Sequence, residues 1–180
     1  MRTFIALELP EPFAQDAAAL SRSLQRVVTG RFMARETYHL TLAFMGDIGE
    51  ADARRAMDAL DRACAGRGAI PLSSDGLGTF GKPRDCTLWL GIAAAPELME
   101  LAQATRSALT DAGIWYDNKP FRPHITLARR ARLPRGTVEH LAFPGASQAH
   151  HVTLFKSILS AEGAHYKPLY TVELSGVEDL

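Results

Sequence analysis

Two tetrapeptides in this chain are near copies of each other: His39-Leu40-Thr41-Leu42 and His124-Ile125-Thr126-Leu127. Both have the form His-x-Thr-x inside a run of strand-forming residues. Side chains alternate along a strand, so His and Thr two positions apart share one face. Leu40, Leu42, Ile125 and Leu127 then face the opposite way, into an apolar layer. Each strand therefore presents an imidazole and a hydroxyl together, backed by core. A single His-x-Thr says little, because threonine favours β structure in any case. Two copies in separate parts of one chain point to chemistry. With an ordinary pKa of ~6.5, histidine serves as acid or base near neutrality. A pair of them suits transfer at phosphorus, where opening a cyclic phosphate needs a base for the attacking water and an acid for the departing ribose oxygen. The hydroxyls of Thr41 and Thr126 suit the non-bridging oxygens, where charge concentrates in the transition state.

Other chemistries fit less well. Neither motif is His-x-His, no HExxH occurs, and Asp47, Asp75, Asp85 and Asp117 stand in turn-like contexts, so no metal site is expected. GxSxG is absent, and neither Cys64 nor Cys86 has a histidine beside it in sequence. No cofactor is expected. His140, His150, His151 and His165 lack a matching pattern and read as surface or locally bonded residues.

The elements that would hold the motifs follow from periodicity. Thr3 to Leu9 reads as a strand, stopped by Pro10 and Pro12. Phe13, Ala17, Leu20, Leu24 and Val27 recur at helical spacing. Phe32 to Met45 reads as extended, ended by Gly46-Asp47. A second helix covers about 51–65, with Ala53, Met57, Leu60 and Cys64 on one face. Ile70 to Leu77 and Cys86 to Ile92 read as strands joined by a glycine-rich loop over 78–81. A third helix starts near Pro96, turns Leu98, Leu101, Thr105 and Leu109 inward, and stops at Gly113. His124 to Ala128 is a strand, and Val152 to Leu159 with Tyr166 to Leu174 form a closing hairpin. Such an order, without a βαβ repeat, predicts an α+β fold with antiparallel sheets.

Composition narrows the function. The 180 residues are 47% apolar and 22% charged, enough for a core. Twenty basic residues balance twenty acidic ones, so nucleic-acid contact is expected to be local, at an end or a single nucleotide, rather than along a duplex. Two unpaired cysteines suit a reducing compartment, and a cytoplasmic location is expected. There is no apolar run long enough for a signal peptide or a membrane span, and no obligate protein partner is evident.

At the two motifs the sequence resembles the 2H phosphoesterases, and more closely the LigT-like RNA 2′,3′-cyclic phosphodiesterases, formerly described as 2′-5′ RNA ligases. Phe4-Ile5-Ala6-Leu7 resembles that family's first strand. Residues 38–46 resemble its first motif, 88–91 a middle strand, 120–129 its second motif and 166–169 its closing strand. The resemblance implies one bilobal catalytic unit over 1–180, pseudo-two-fold, each lobe supplying an antiparallel sheet and one HxTx strand to a central cleft. It implies RNA ends or nucleotide 2′,3′-cyclic phosphates as substrates, opened to 2′-phosphates without metal. His39 would be the acid and His124 the base, an order that the residues alone leave open. It also makes Arg129 a phosphate or nucleotide contact and Phe44 a wall for the base. Both lie five positions past their histidine, an odd number, so strict alternation puts them on the wrong face. Either the strand ends or a bulge intervenes near Ala43 and Ala128. Arg130 has the right phase and competes with Arg129, while Phe44 could equally be core. Phe4, Arg35 and Tyr166 could line the cleft. Within enzymes, 2′-5′ RNA ligation and cleavage of 2′-5′ oligonucleotides are the alternatives. A non-catalytic RNA-end binder is the alternative of another class, although binding alone would not need two titratable groups.

Overall fold

The computed structural model describes residues 1–176; the last four positions of the expected 1–180 unit lie outside the described residues. Two four-stranded sheets form the frame, and every pairing in them is antiparallel. The first has the order β10-β9-β1-β3, from β1 (Arg2–Leu7), β3 (Leu40–Asp47), β9 (His151–Ser160) and β10 (Gly163–Glu173). The second has the order β2-β7-β6-β5, from β2 (Thr29–Phe32), β5 (Ser74–Lys82), β6 (Asp85–Ile92) and β7 (His124–Arg132). A small ribbon pairs β4 (Ile70–Leu72) with β8 (Ser147–Ala149). Each large sheet thus carries one HxTx segment, which is the expected α+β bilobal arrangement.

Three helices cover the sheets: α1 (Glu11–Leu24), α2 (Glu50–Cys64) and α3 (Pro96–Asp111). Their apolar stripes are buried, including Phe13, Ala17, Leu20 and Leu24 of α1 and Leu98, Leu101, Thr105 and Leu109 of α3. Leu42, Leu90, Ile125 and Leu127 from the sheets, all fully buried, join them in one core. On the cleft side of the first sheet, Phe4, Ala6 and Phe155 form a separate apolar cluster, with Phe44 and Tyr166 against it.

Several boundaries differ from the sequence reading. Helix α1 ends at Leu24, leaving Val27 44% exposed, one turn short of the apolar periodicity. The extended stretch expected over 32–45 is broken by a single 3-10 turn, Arg35–Thr37, so β2 joins the second sheet and β3 the first. Ile70 to Leu77 divides at Ser73 between β4 and β5. The glycine-rich segment expected as a loop lies inside β5, because Gly78 pairs across the ladder with Trp89. A Cβ at Gly78 would stand 2.1 Å from the indole, so only glycine lets that ring lie flat on the strand.

Candidate active site

The local chain geometry around the two histidines is the same. In the first lobe, the 3-10 turn sets the Thr37 carbonyl 2.6 Å from His39 Nδ1. In the second, the Arg122 carbonyl lies 2.6 Å from His124 Nδ1. Pro123 confines Arg122 to an extended backbone, which aims that carbonyl along the chain. A carbonyl only accepts, so each Nδ1 carries the proton and donates it. Neither Nε2 atom has a hydrogen-bond partner among the described residues, so each can hold or take up a proton.

Aromatic rings from the neighbouring strands fix each imidazole. Phe4 stacks on His39 at 4.7 Å, and Tyr166 meets it edge-on at 5.0 Å. Phe80 meets His124 edge-on at 5.3 Å, with Trp89 at 5.7 Å. Phe4 and Tyr166 are expected at the cleft from the sequence. Phe80 and Trp89 are not, and the signal that marks them is Gly78 opposite Trp89 in adjacent strands. Trp89 also holds a buried indole N–H without a partner among the described residues.

The parity conflict at Phe44 and Arg129 is resolved by paired bulges. Thr41 and Ala43 face the consecutive residues Ala6 and Ile5, so Leu42 is the extra residue in β3. Thr126 and Ala128 face Trp89 and Leu88, so Leu127 is the extra residue in β7. Each bulge shifts the phase by one and returns the fifth residue to the histidine's face. One cavity of about 540 Å³ is accordingly lined by His39, Thr41, Phe44, His124, Thr126 and Arg129 together. The threonine hydroxyls have no protein hydrogen-bond partner among the described residues. Phe44 is half-buried and carries the Arg2 guanidinium 4.8 Å above its ring. Arg130, in left-handed backbone at φ 52°, turns away to an ion pair with Asp85 at 3.1 Å. Arg35 does not line this cavity; it pairs with Glu11 beside a separate cavity behind His39. His140, His150, His151 and His165 are all exposed, away from it. Among the described residues, no group of three or more His, Cys, Asp or Glu is arranged to hold a metal.

Burial pushes the His39 imidazole down from 6.5 to about 4, and the positive charges of Arg129 and His124 push the same way, against the Thr37 hydrogen bond. A general acid works best with a raised value, whereas in the free protein His39 is held neutral. A bound phosphodiester would add a negative charge facing Arg129 and favour the imidazolium. The His39 ring signals in an NMR titration should therefore move near pH 4 in the free protein. With saturating adenosine 2′-phosphate they should move about one unit or more higher. A value that stayed near 4 would assign His39 the base role.

A family model described as the 2′-5′ RNA ligase superfamily matches residues 9–158. This chain belongs to that superfamily. Among its relatives, the RNA 2′,3′-cyclic phosphodiesterase of Thermotoga maritima is 30% identical, over 98% of this chain and 97% of its own. The enzyme of that name from Escherichia coli K12 is 31% identical, over 93% of each. The crystal structure of E. coli LigT complexed with 3′-AMP superposes with a TM-score of 0.81 at 28% identity, covering 96% of this chain and 97% of that one. The superfamily fold and the paired HxTx strands thus coincide in one molecule. No helix among the described residues is long and apolar enough to cross a membrane.

Within this superfamily member, Arg129 and Arg130 make a direct comparison. Arg129→Ala should weaken binding of adenosine 2′-phosphate by about 10–100-fold, the worth of a charged hydrogen bond. Arg130→Ala removes only an exposed ion pair and should change binding less than about threefold. Calorimetric titration with that nucleotide checks both, and the reverse ranking would move the phosphate to the other face of β7.

Proposed function

We propose that this protein is a metal-independent RNA 2′,3′-cyclic phosphodiesterase that leaves 2′-phosphate ends, with His39 and His124 as its acid–base pair. The observation that carries the reading is the two imidazoles lining one cavity, each with Nδ1 committed to a carbonyl and Nε2 without a partner among the described residues. His124 takes a proton from water as the water oxygen bonds to phosphorus. His39 gives its proton to the 3′ oxygen as the P–O3′ bond breaks, and the phosphate stays on the 2′ oxygen. Thr41 and Thr126 donate to the non-bridging oxygens, Arg129 meets the charge, and Phe44 supports the terminal base. The order of the two histidines comes from the resemblance, and bound phosphate is what would protonate His39. Two buried free cysteines fit a reducing, cytoplasmic setting.

Incubation with adenosine 2′,3′-cyclic phosphate in excess EDTA tests the whole reading. Adenosine 2′-phosphate is the expected product, formed at the same rate as without chelator. Loss of activity restored by added zinc or magnesium would overturn the metal-free mechanism. Adenosine 3′-phosphate as product would keep the histidines and reverse the substrate.

A further inference from the structure

The catalytic cavity continues past His124 into a larger groove of about 880 Å³, and the two share Thr41, Phe44, Asp117, Lys119 and His124 as walls. The groove floor is aromatic. Phe80 is 42% exposed and lines this groove. Trp89 lies beside it, ring centroids 5.2 Å apart, and Gly78 leaves space for the indole. Arg122 reaches over Phe80, its charge 6.0 Å from the ring centre. The other cations are committed: Arg106 donates to the carbonyls of Leu42 and Lys119, and Lys119 pairs with Asp117 at 3.5 Å. The Arg122 guanidinium has no carboxylate or carbonyl partner among the described residues. Asp75 is the remaining carboxylate in the wall.

We infer that this groove holds the nucleotide immediately before the cyclic-phosphate end of an RNA strand, its base on Phe80 and Trp89 and its backbone phosphate met by Arg122. The inference rests on the phosphodiesterase reading above. Flat aromatic rings beside a free guanidinium are the features that take up single-stranded nucleic acid without sequence preference, because every base offers a π face. The smaller cavity, walled by Phe44 and Arg129, is filled by the terminal nucleotide. The groove is then surplus to a mononucleotide and suited to a strand, which makes the protein a reader of RNA ends rather than of cyclic mononucleotides.

The test compares kcat/KM for adenylyl-adenosine bearing a 2′,3′-cyclic phosphate with that for adenosine 2′,3′-cyclic phosphate. The dinucleotide should be preferred by about tenfold or more. Phe80→Ala also removes the edge-on contact to His124 and should slow both substrates, so the readout is their ratio, which should fall to within about threefold of unity. Arg122→Gln, which keeps the backbone carbonyl under His124, should flatten the salt dependence of the dinucleotide reaction. As a second readout, Trp89 fluorescence in a Trp115→Phe background should respond to the dinucleotide 2′-phosphate and not to adenosine 2′-phosphate. Equal wild-type rates for the two substrates, or a preference that survives Phe80→Ala, would overturn the groove assignment. Hydrolysis of neither substrate would overturn the phosphodiesterase reading itself.

Discussion

Replacing His124 by alanine is expected to lower kcat by about 10²–10⁴, the usual worth of one positioned acid or base, and His39→Ala should do the same. That is ~2.7–5.5 kcal/mol of barrier for each. The loss should fall on kcat more than on KM, because in the proposed mechanism the imidazoles act on protons in flight, while Arg129, Phe44 and the groove are proposed to hold the substrate. The double variant should lose less than the product of the single losses, since both groups serve one transition state. Stopped assays under saturating substrate would measure all three. Near-native turnover in either single variant would make that histidine a packing residue of its aromatic cage. Asparagine at either position separates shape from proton transfer, since it fills the cage without titrating.

The threonine pair carries the second large effect. Thr41→Val and Thr126→Val should each cost about 10²–10³ in kcat, the range for removing one donor from an oxyanion site. Valine keeps the β-branched shape that the strands favour, so folding should be preserved and the hydroxyl alone removed. Both hydroxyls lack a protein partner among the described residues and line the cavity, so their removal breaks no hydrogen bond seen there. Thr→Ser at the same positions should restore most of the rate. A change of less than about threefold in the valine variants would mean that the hydroxyls never reach the phosphate.

Much of this site could be read from the chain because it repeats. The HxTx echo marks both strands, and the odd spacing to Phe44 and Arg129 required an irregularity where Leu42 and Leu127 bulge. Helix α3 was legible from Pro96 to Gly113 because its periodicity and both end signals agree. Other features depend on contacts between distant segments. The 3-10 turn at Arg35–Thr37 has no strong local signal, yet it hands the chain from one sheet to the other and orients His39. The Phe80 and Trp89 wall arises from β5 and β6 pairing, where Gly78 looks like a loop residue until the tryptophan opposite is known. The low His39 value is likewise tertiary: Phe4 and Tyr166 dry the ring, and Arg129 arrives from the other lobe. The local sequence marks both histidines as candidates but carries no sign of the contacts that lower this value.

The position of β1 has a consequence for how the protein is made. Although it is the first strand, it lies inside its sheet between β3 and β9, with Arg2 opposite Ser157 and Leu7 opposite Val152. A ribosome adding about 5–20 residues per second needs on the order of ten seconds or more to reach that partner after β1 has emerged. Pairing across so long a separation is slow, because the loop entropy must be met before the contacts form. Throughout that interval Phe4 and Ala6 have neither Phe155 nor Tyr166 against them, and one edge of β1 is open to other chains. The wall behind His39 is therefore among the last parts of the nascent protein to close. A chain halted before the final hairpin would carry both HxTx motifs and still lack an assembled site.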